Sequence, residues 1–370
     1  MPPWNGTSRA QKNLPPLRRP TPPETRMPKK TAFTPADFEK VVGFRFISQS
    51  QKQFDAWNTF VRMSPAEFHA AICEGPLADI PLVVEMAYQG SFISVKLGKR
   101  IPNDTSFLGY APENAFQMSA QFELKNGNGE FEYIKIPEPM QEQGLGTLAT
   151  VRTFSLARRL GVSRIRAEMH LAAGGYAWAR LGFMPNAPDW DDLRKEYILP
   201  RLAAFGKGIP EGARAQIETA AASDDPENIF LIAALKTPCR EIPLGRWLMA
   251  HGYWNPDTDP NPNFIYECWK AMRETAMGRL EKLKDNIPQK IFEKVSTLLQ
   301  KASSEELKEI IHIPETVDGI PAGQLMLVGT RWYGELDFDN PVQAAIFDAV
   351  AKRIAPAPLP PALRRPKGPS

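Results

Sequence analysis

The stretch that most constrains this chain runs from Phe131 to Pro185, FEYIKIPEPMQEQGLGTLATVRTFSLARRLGVSRIRAEMHLAAGGYAWARLGFMP. It opens on β-formers (Phe131, Tyr133, Ile134, Ile136) and breaks at Pro137 and Pro139. It then passes through QEQGLG into a segment whose apolar residues, Leu148, Val151, Phe154, Leu156 and Leu160, recur at helical spacing. The order is strand, loop, helix. Gly161 ends the helix, Ser163 to Leu171 reads as a second strand, Gly174 and Gly175 break it, and a short helix, YAWARL, stops at Gly182. Two strands joined by a helix of about four turns make a βαβ-like unit, with the glycine loop at the carboxyl end of the first strand, where α/β folds bind ligands.

Gly144 and Gly146 let the backbone approach a ligand closely, and the free N–H groups of a first helical turn favour a phosphate. A pyrophosphate could dock on Gly144 to Leu148. On spacing alone, however, a glycine pair before a helix is more often a plain tight connection.

The residues themselves resemble a family. QEQGLG matches the Q/RxxGxG/A acyl-CoA loop of the GNAT superfamily of N-acyltransferases, with Gln141, Gly144 and Gly146 in register. WARLGF, Trp178 to Phe183, sits where those proteins carry a YxKxGF-like segment, and the longer string GGYAWARLGF resembles GNAT-like domains of bacterial toxin, effector and phage-encoded proteins. The resemblance covers about 55 of the 370 residues. It implies an α/β (α+β) fold, a mixed twisted sheet flanked by helices. It implies acetyl transfer from acetyl-CoA, or another acyl-CoA, to an amine, with no metal. Gly144, Leu145, Gly146, Thr147 and Leu148 would hold the pyrophosphate through backbone N–H groups, with Gln141 lining its entry.

Two positions depart from that family. Trp178 stands where many GNAT enzymes place the tyrosine that protonates the departing thiolate, and an indole N–H is no useful acid. Tyr176, two residues earlier, is the candidate to replace it. The asparagine often found at the end of the second strand is also absent, Leu171 and Ala172 lying nearest its place.

Along that second strand Arg164, Arg166, Glu168 and His170 alternate with Ile165, Ala167, Met169 and Leu171, so the polar file faces something wet. If the fold is right, its end lies beside the gap into which a thioester projects. Glu168 and His170 are therefore candidate bases for an attacking amine, with Glu132 on the preceding strand as a third. All three also read as plain surface residues.

The remaining chain fills in around this unit. Residues 1–33 and 355–370 are Pro-rich and basic, and read as disordered tails. Residues 1–30 carry seven Lys or Arg and one Glu, residues 351–370 five and no acid, which leaves −8 on the middle of a chain whose net charge is +3. Such tails could meet an acidic partner, although solvated tails are the blander reading and nucleic acid ranks last.

Residues 34–186 read as the core domain. Within it Thr34-Pro35 and Ser64-Pro65-Ala66-Glu67 start helices, Phe54, Trp57, Phe60 and Val61 share a helical face, and His69 is an ordinary helix residue. Strands follow at PLVVEMAY, GSFISVKL and AFQMSAQFEL, and KNGNGE turns a hairpin into FEYIKI. Residues 187–315 read as a mainly helical insertion and residues 316–354 as a returning strand, Gln324 to Phe338, with a final helix.

Asp257, Asp259 and Asn261 have the opening spacing of a calcium loop, but Pro262 and Cys268 spoil it. Cys73, Cys239 and Cys268 form no disulfide or zinc pattern. No apolar run is long enough to span a membrane and no signal-peptide core opens the chain, so a cytoplasmic protein, or one exported without a signal peptide, is expected. Two functions stay open: an acyl-CoA-dependent N-acyltransferase of the bacterial effector or toxin kind, and a GNAT-shaped interaction module without catalysis.

Overall fold

The structure is a computed structural model, and it describes residues 32–47, 50–87, 92–98, 116–137, 140, 143–169, 174–248, 273, 276–301, 310 and 313–354. Residues 1–31 and 355–370 of the expected tails, Gln141, His170, Cys268 and the Asp257–Asn261 loop lie outside the described residues, while Phe33, placed in the first tail, packs against the core and donates its N–H to Asn58 at 2.9 Å.

Alternation of apolar and polar residues builds one mixed sheet from β1 (Phe44–Phe46), β2 (Leu82–Ala87), β3 (Phe92–Gly98), β4 (Gln117–Glu123), β5 (Asn128–Lys135), β6 (Arg164–Met169), β7 (Met184–Pro185) and β10 (Trp332–Asp337). Their order is β1-β2-β3-β4-β5-β6-β10-β7. β2 to β5 form an antiparallel meander. β1 runs parallel to β2 and β5 parallel to β6, while β10 lies antiparallel between β6 and β7. Among the described residues, β8 (Ile242–Pro243) and β9 (Thr316–Val317) pair separately.

The hairpin at KNGNGE forms as its sequence indicates. Gly127 turns the chain at φ +70°, and a Cβ there would sit 3.0 Å from the Gly161 carbonyl oxygen, so that glycine is needed twice over.

The helices of the first half pack on the sheet's apolar face. α1 (Pro35–Glu39) starts at Thr34, and α2 (Gln51–Ala56) runs on into a π turn, Trp57–Val61. α3 (Pro65–Cys73) carries the Ser64/Glu67 capping box, with Glu67 N–H donating to Ser64 Oγ at 3.1 Å. Phe38, Phe46 and Trp57 meet at centroid distances of 4.8 to 5.6 Å and fill the first end of the core. α4 (Leu145–Arg159) packs between α3 and the last helix, Pro341–Ile354, and Phe154 meets Phe131 of β5 at 5.4 Å.

Between β7 and β10 the chain makes α6 (Ala187–Asp192), a π turn Leu193–Ile198, α7 (Leu199–Phe205), α8 (Glu211–Ala222), α9 (Asn228–Ala234) and further helices at Leu244–Leu248 and Gln289–Lys301. α5 (Gly174–Arg180) packs on α9, and one buried apolar cluster runs from Phe38 to Val350 through both halves. Asp189 accepts the Tyr333 N–H at 3.0 Å, closing an amide of β10 that the short β7 leaves open.

One expectation is corrected here. The strand expected over Gln324 to Phe338 is a helix, Ala322–Leu327, followed by a strand only at Trp332–Asp337. A short apolar run is ambiguous between the two states, and burial decides it. Leu325, Met326 and Leu327 are all buried, and the buried Arg201 guanidinium donates to the carbonyls of Leu325, Met326 and Val328 at 3.3, 2.9 and 2.7 Å. No helix among the described residues is long and apolar enough to cross a membrane.

Candidate functional site

The site begins where two parallel strands part. β5 and β6 are paired from Asn128↔Arg164 to Phe131↔Ala167 and no further. Beyond that point β5 stays with β4, through Tyr133↔Ser119 and Lys135↔Gln117, and β6 stays with β10, through Glu168↔Tyr333 and Met169↔Trp332. A gap therefore opens at the carboxyl ends of both strands, the usual ligand edge of an α/β sheet.

Below the parting point the gap has an aromatic floor. Trp178 of α5 packs on Phe131 at 5.0 Å and on Phe183 at 5.1 Å, so it is a packing residue of the core. Tyr176 is half-buried on the same helix, with the Arg180 guanidinium 5.4 Å above its ring.

The glycine loop reaches this gap from the apolar side of the sheet. Gly144 is the exposed N-cap of α4 at φ +72°, where an added Cβ would meet nothing within 4 Å, and no side chain caps the helix. Gly146 differs. A Cβ there would collide with Ile136 and approach Ile134 at 3.5 Å, so its bare backbone lets the first turn of α4 lie directly on the freed end of β5. Leu145 and Leu148 turn into the core and Thr147 is exposed. The expected loop is thus a helix start that opens to solvent at Gly144 and rests on the gap's rim at Gly146.

On the other face of the sheet the gap is polar. β4 and β5 slip register at Ser119/Ala120, so Phe131 lies opposite Ala120, Tyr133 opposite Ser119, and Glu132 is the extra residue. This β-bulge puts Glu132 and Tyr133 on the same face, whereas strict alternation would have grouped Tyr133 with Phe131. Glu132 accepts hydrogen bonds from the hydroxyl of Ser119, itself buried, and from the side-chain amide of Gln121, one on each carboxylate oxygen.

Lys96 lies opposite Ser119 on β3. Burial holds its ammonium below the usual lysine range, and the Glu132 and Glu85 carboxylates pull it partly back. Burial, and then the Glu132 carboxylate, push the Tyr133 phenol up.

Glu168 stands across the gap, and its carboxylate accepts from the Arg331 guanidinium, with Nε at 2.8 Å. The rest of its polar file is also engaged, Arg166 with Glu335 at 2.9 Å and Arg164 with Asp337 at 3.2 Å. The file is solvent-exposed, as its alternation indicates, and pairs across the strands with β10.

Sequence reasoning found Glu132 and Glu168 but missed Ser119, Gln121, Lys96 and Tyr133. A signal existed for the bulge: Ile134 to Ile136 is the two-residue step of a strand, but Phe131 to Ile134 is three. Three core-facing residues at that spacing require one inserted position.

A groove of about 230 Å³ on the outer side of α4, lined by Ala71, Glu74, Leu148, Arg152, Arg159 and Ile354 among others, reaches neither β5 nor β6. No cluster of three metal-ligating side chains occurs among the described residues. No protein-family profile, no curated protein and no solved structure matches this chain.

Proposed function

We propose that this chain is an acyl-CoA-dependent N-acyltransferase of GNAT type, moving an acyl group, most simply acetyl, to an amine. The observation that carries the reading is the parting of parallel β5 and β6 after Phe131 and Ala167, with the glycine-led start of α4 resting on the freed strand. A late strand antiparallel between β6 and β7 agrees with the last strand that GNAT domains add after their GF segment.

In this reading the amides from Gly144 to Thr147 take the diphosphate, helped by the positive end of the helix dipole, with Gln141 lining its approach; the Leu148 amide, expected to join them, is instead spent on the Gly144 carbonyl at 2.9 Å. The thioester arm then crosses the gap from the apolar to the polar face. There Glu132 takes the proton of the attacking amine, directly or through a water. Ser119 and Gln121 fix one lone pair on each of its oxygens and leave the others for that proton. Glu168 is the less available carboxylate because Arg331 holds it across the strand pair.

Isothermal titration of the full chain tests the first step: CoA should bind and pantetheine, which lacks the diphosphate, should bind at least tenfold more weakly. Thiol release from acetyl-CoA with a panel of amines then tests transfer. Failure of CoA to bind ends this proposal.

A second reading, an interaction module of the same shape without catalysis, is favoured by Trp178, which packs on Phe131 at 5.0 Å and leaves no phenol at that position. It expects no tight, diphosphate-dependent CoA binding and no thiol release.

A further inference from the structure

Acyl transfer to an amine moves two protons. One leaves the nucleophile, and a second is needed where the carbon–sulfur bond breaks, because an alkyl thiolate leaves less readily than the neutral thiol. Glu132 answers only the first need.

We propose that Tyr133 is the catalytic acid of this site, its phenol protonating the sulfur as it leaves. The proposal rests on the acyltransferase reading above. The bulge places Tyr133 on the same face as Glu132, so acid and base are consecutive residues aimed the same way. Tyr133 stands two positions beyond Phe131, the last β5 residue paired with β6, so its strand has no neighbour on the gap side. It is 39% exposed, open enough to reach a substrate, and burial with the neighbouring carboxylate keeps the phenol in its acid form.

Other donors are worse placed. Tyr333 is on β10, one strand behind β6; Lys96 is on β3, with Ser119 of β4 between it and β5. Tyr176 lies on α5, with Arg180 stacked on its ring.

The step balances without an outside reactant. The amine nitrogen bonds to the acyl carbon, and its surplus proton passes to the Glu132 carboxylate. The carbon–sulfur bond breaks, the electron pair stays on sulfur, and the phenol of Tyr133 gives its proton to that sulfur. Transfer of the proton from Glu132 to the phenolate then restores both groups, leaving an amide and a thiol.

The test uses the full chain with Tyr133→Phe, which keeps the ring and removes only the hydroxyl. CoA affinity is measured by titration, and thiol release is followed on acetyl-CoA and on the acetyl thioester of 4-nitrothiophenol, whose acidic thiol leaves without a proton. We expect CoA affinity to stay within twofold and release from acetyl-CoA to fall about a hundredfold. On the aryl thioester the deficit should shrink to less than about threefold.

Wild-type turnover in the variant, or the same deficit on both donors, overturns the proposal while leaving the acyltransferase reading intact. A wild-type chain that binds no CoA or releases no thiol overturns both. Site-specific replacement of Tyr133 by difluorotyrosine is a second check with no volume lost to speak of: the alkaline limb of the kcat profile should move to lower pH, and an unmoved limb counts against the tyrosine.

Discussion

Gly146 and Ile136 meet where only one of them can have a side chain, which is what seats α4 on β5. Gly146→Val should lift the helix start, cost about 1–3 kcal/mol as overpacking does, and weaken CoA binding at least tenfold. Urea denaturation and titration check both, and adding Ile136→Ala should recover part of each loss. Glu132→Gln should lower kcat by about a hundredfold or more with CoA affinity unchanged, read by thiol release. The buried cysteines carry a pH prediction. Burial pushes the Cys73 thiol up to about 12 from 9.0 and Cys239 to about 11. Neutral thiols are thus favoured in the fold, and this contribution is full below pH 9 and lost between pH 9 and about 12, as the unfolded thiols ionise first. Both should resist a thiol reagent at pH 8 in the native chain and react on unfolding, and a denaturation series should show stability falling from pH 9 upward.

At the scale of elements, the helix Ala322–Leu327 depends on Arg201, whose guanidinium serves three carbonyls at its carboxyl end. Arg201→Met fills similar space but leaves those carbonyls without a donor, and should cost roughly 2–4 kcal/mol by urea denaturation. This helix is also where the sequence was hardest to read. Alternation sufficed for β2 to β5, and helical spacing for α4, because polar residues recur among the apolar ones in each. LMLV is buried throughout and carries no such contrast, so only the distant Arg201 shows why it coils. The candidate site was half legible for a similar reason. Gly144, Gly146 and Glu132 announce themselves locally, whereas Ser119, Gln121 and Lys96 join the site through strand register and a bulge. Arg331 reaches Glu168 across 163 residues, a pairing with no local trace.

The whole molecule is a sheet completed late. β10 enters between β6 and β7 only after the helices of residues 187 to 330 have been made, and Gln343 then ties it down, donating to the Gly182 and Glu335 carbonyls at 2.9 and 2.6 Å. A chain ending at residue 186 should therefore fail as an independent domain. It should aggregate on size exclusion, because β6 and β7 would each present a bare hydrogen-bonding edge. Soluble monomeric behaviour of that fragment would contradict this picture.

On the ribosome the same arrangement sets a clock. With 163 residues between the partners Glu168 and Arg331, translation at roughly 5–20 residues per second leaves β6 waiting on the order of ten to thirty seconds for its second neighbour. Throughout that interval the nascent polypeptide has one wall of the gap unsupported. Expression at lower temperature, or with a holdase in excess, should accordingly raise the yield of active protein more than any change to the finished fold.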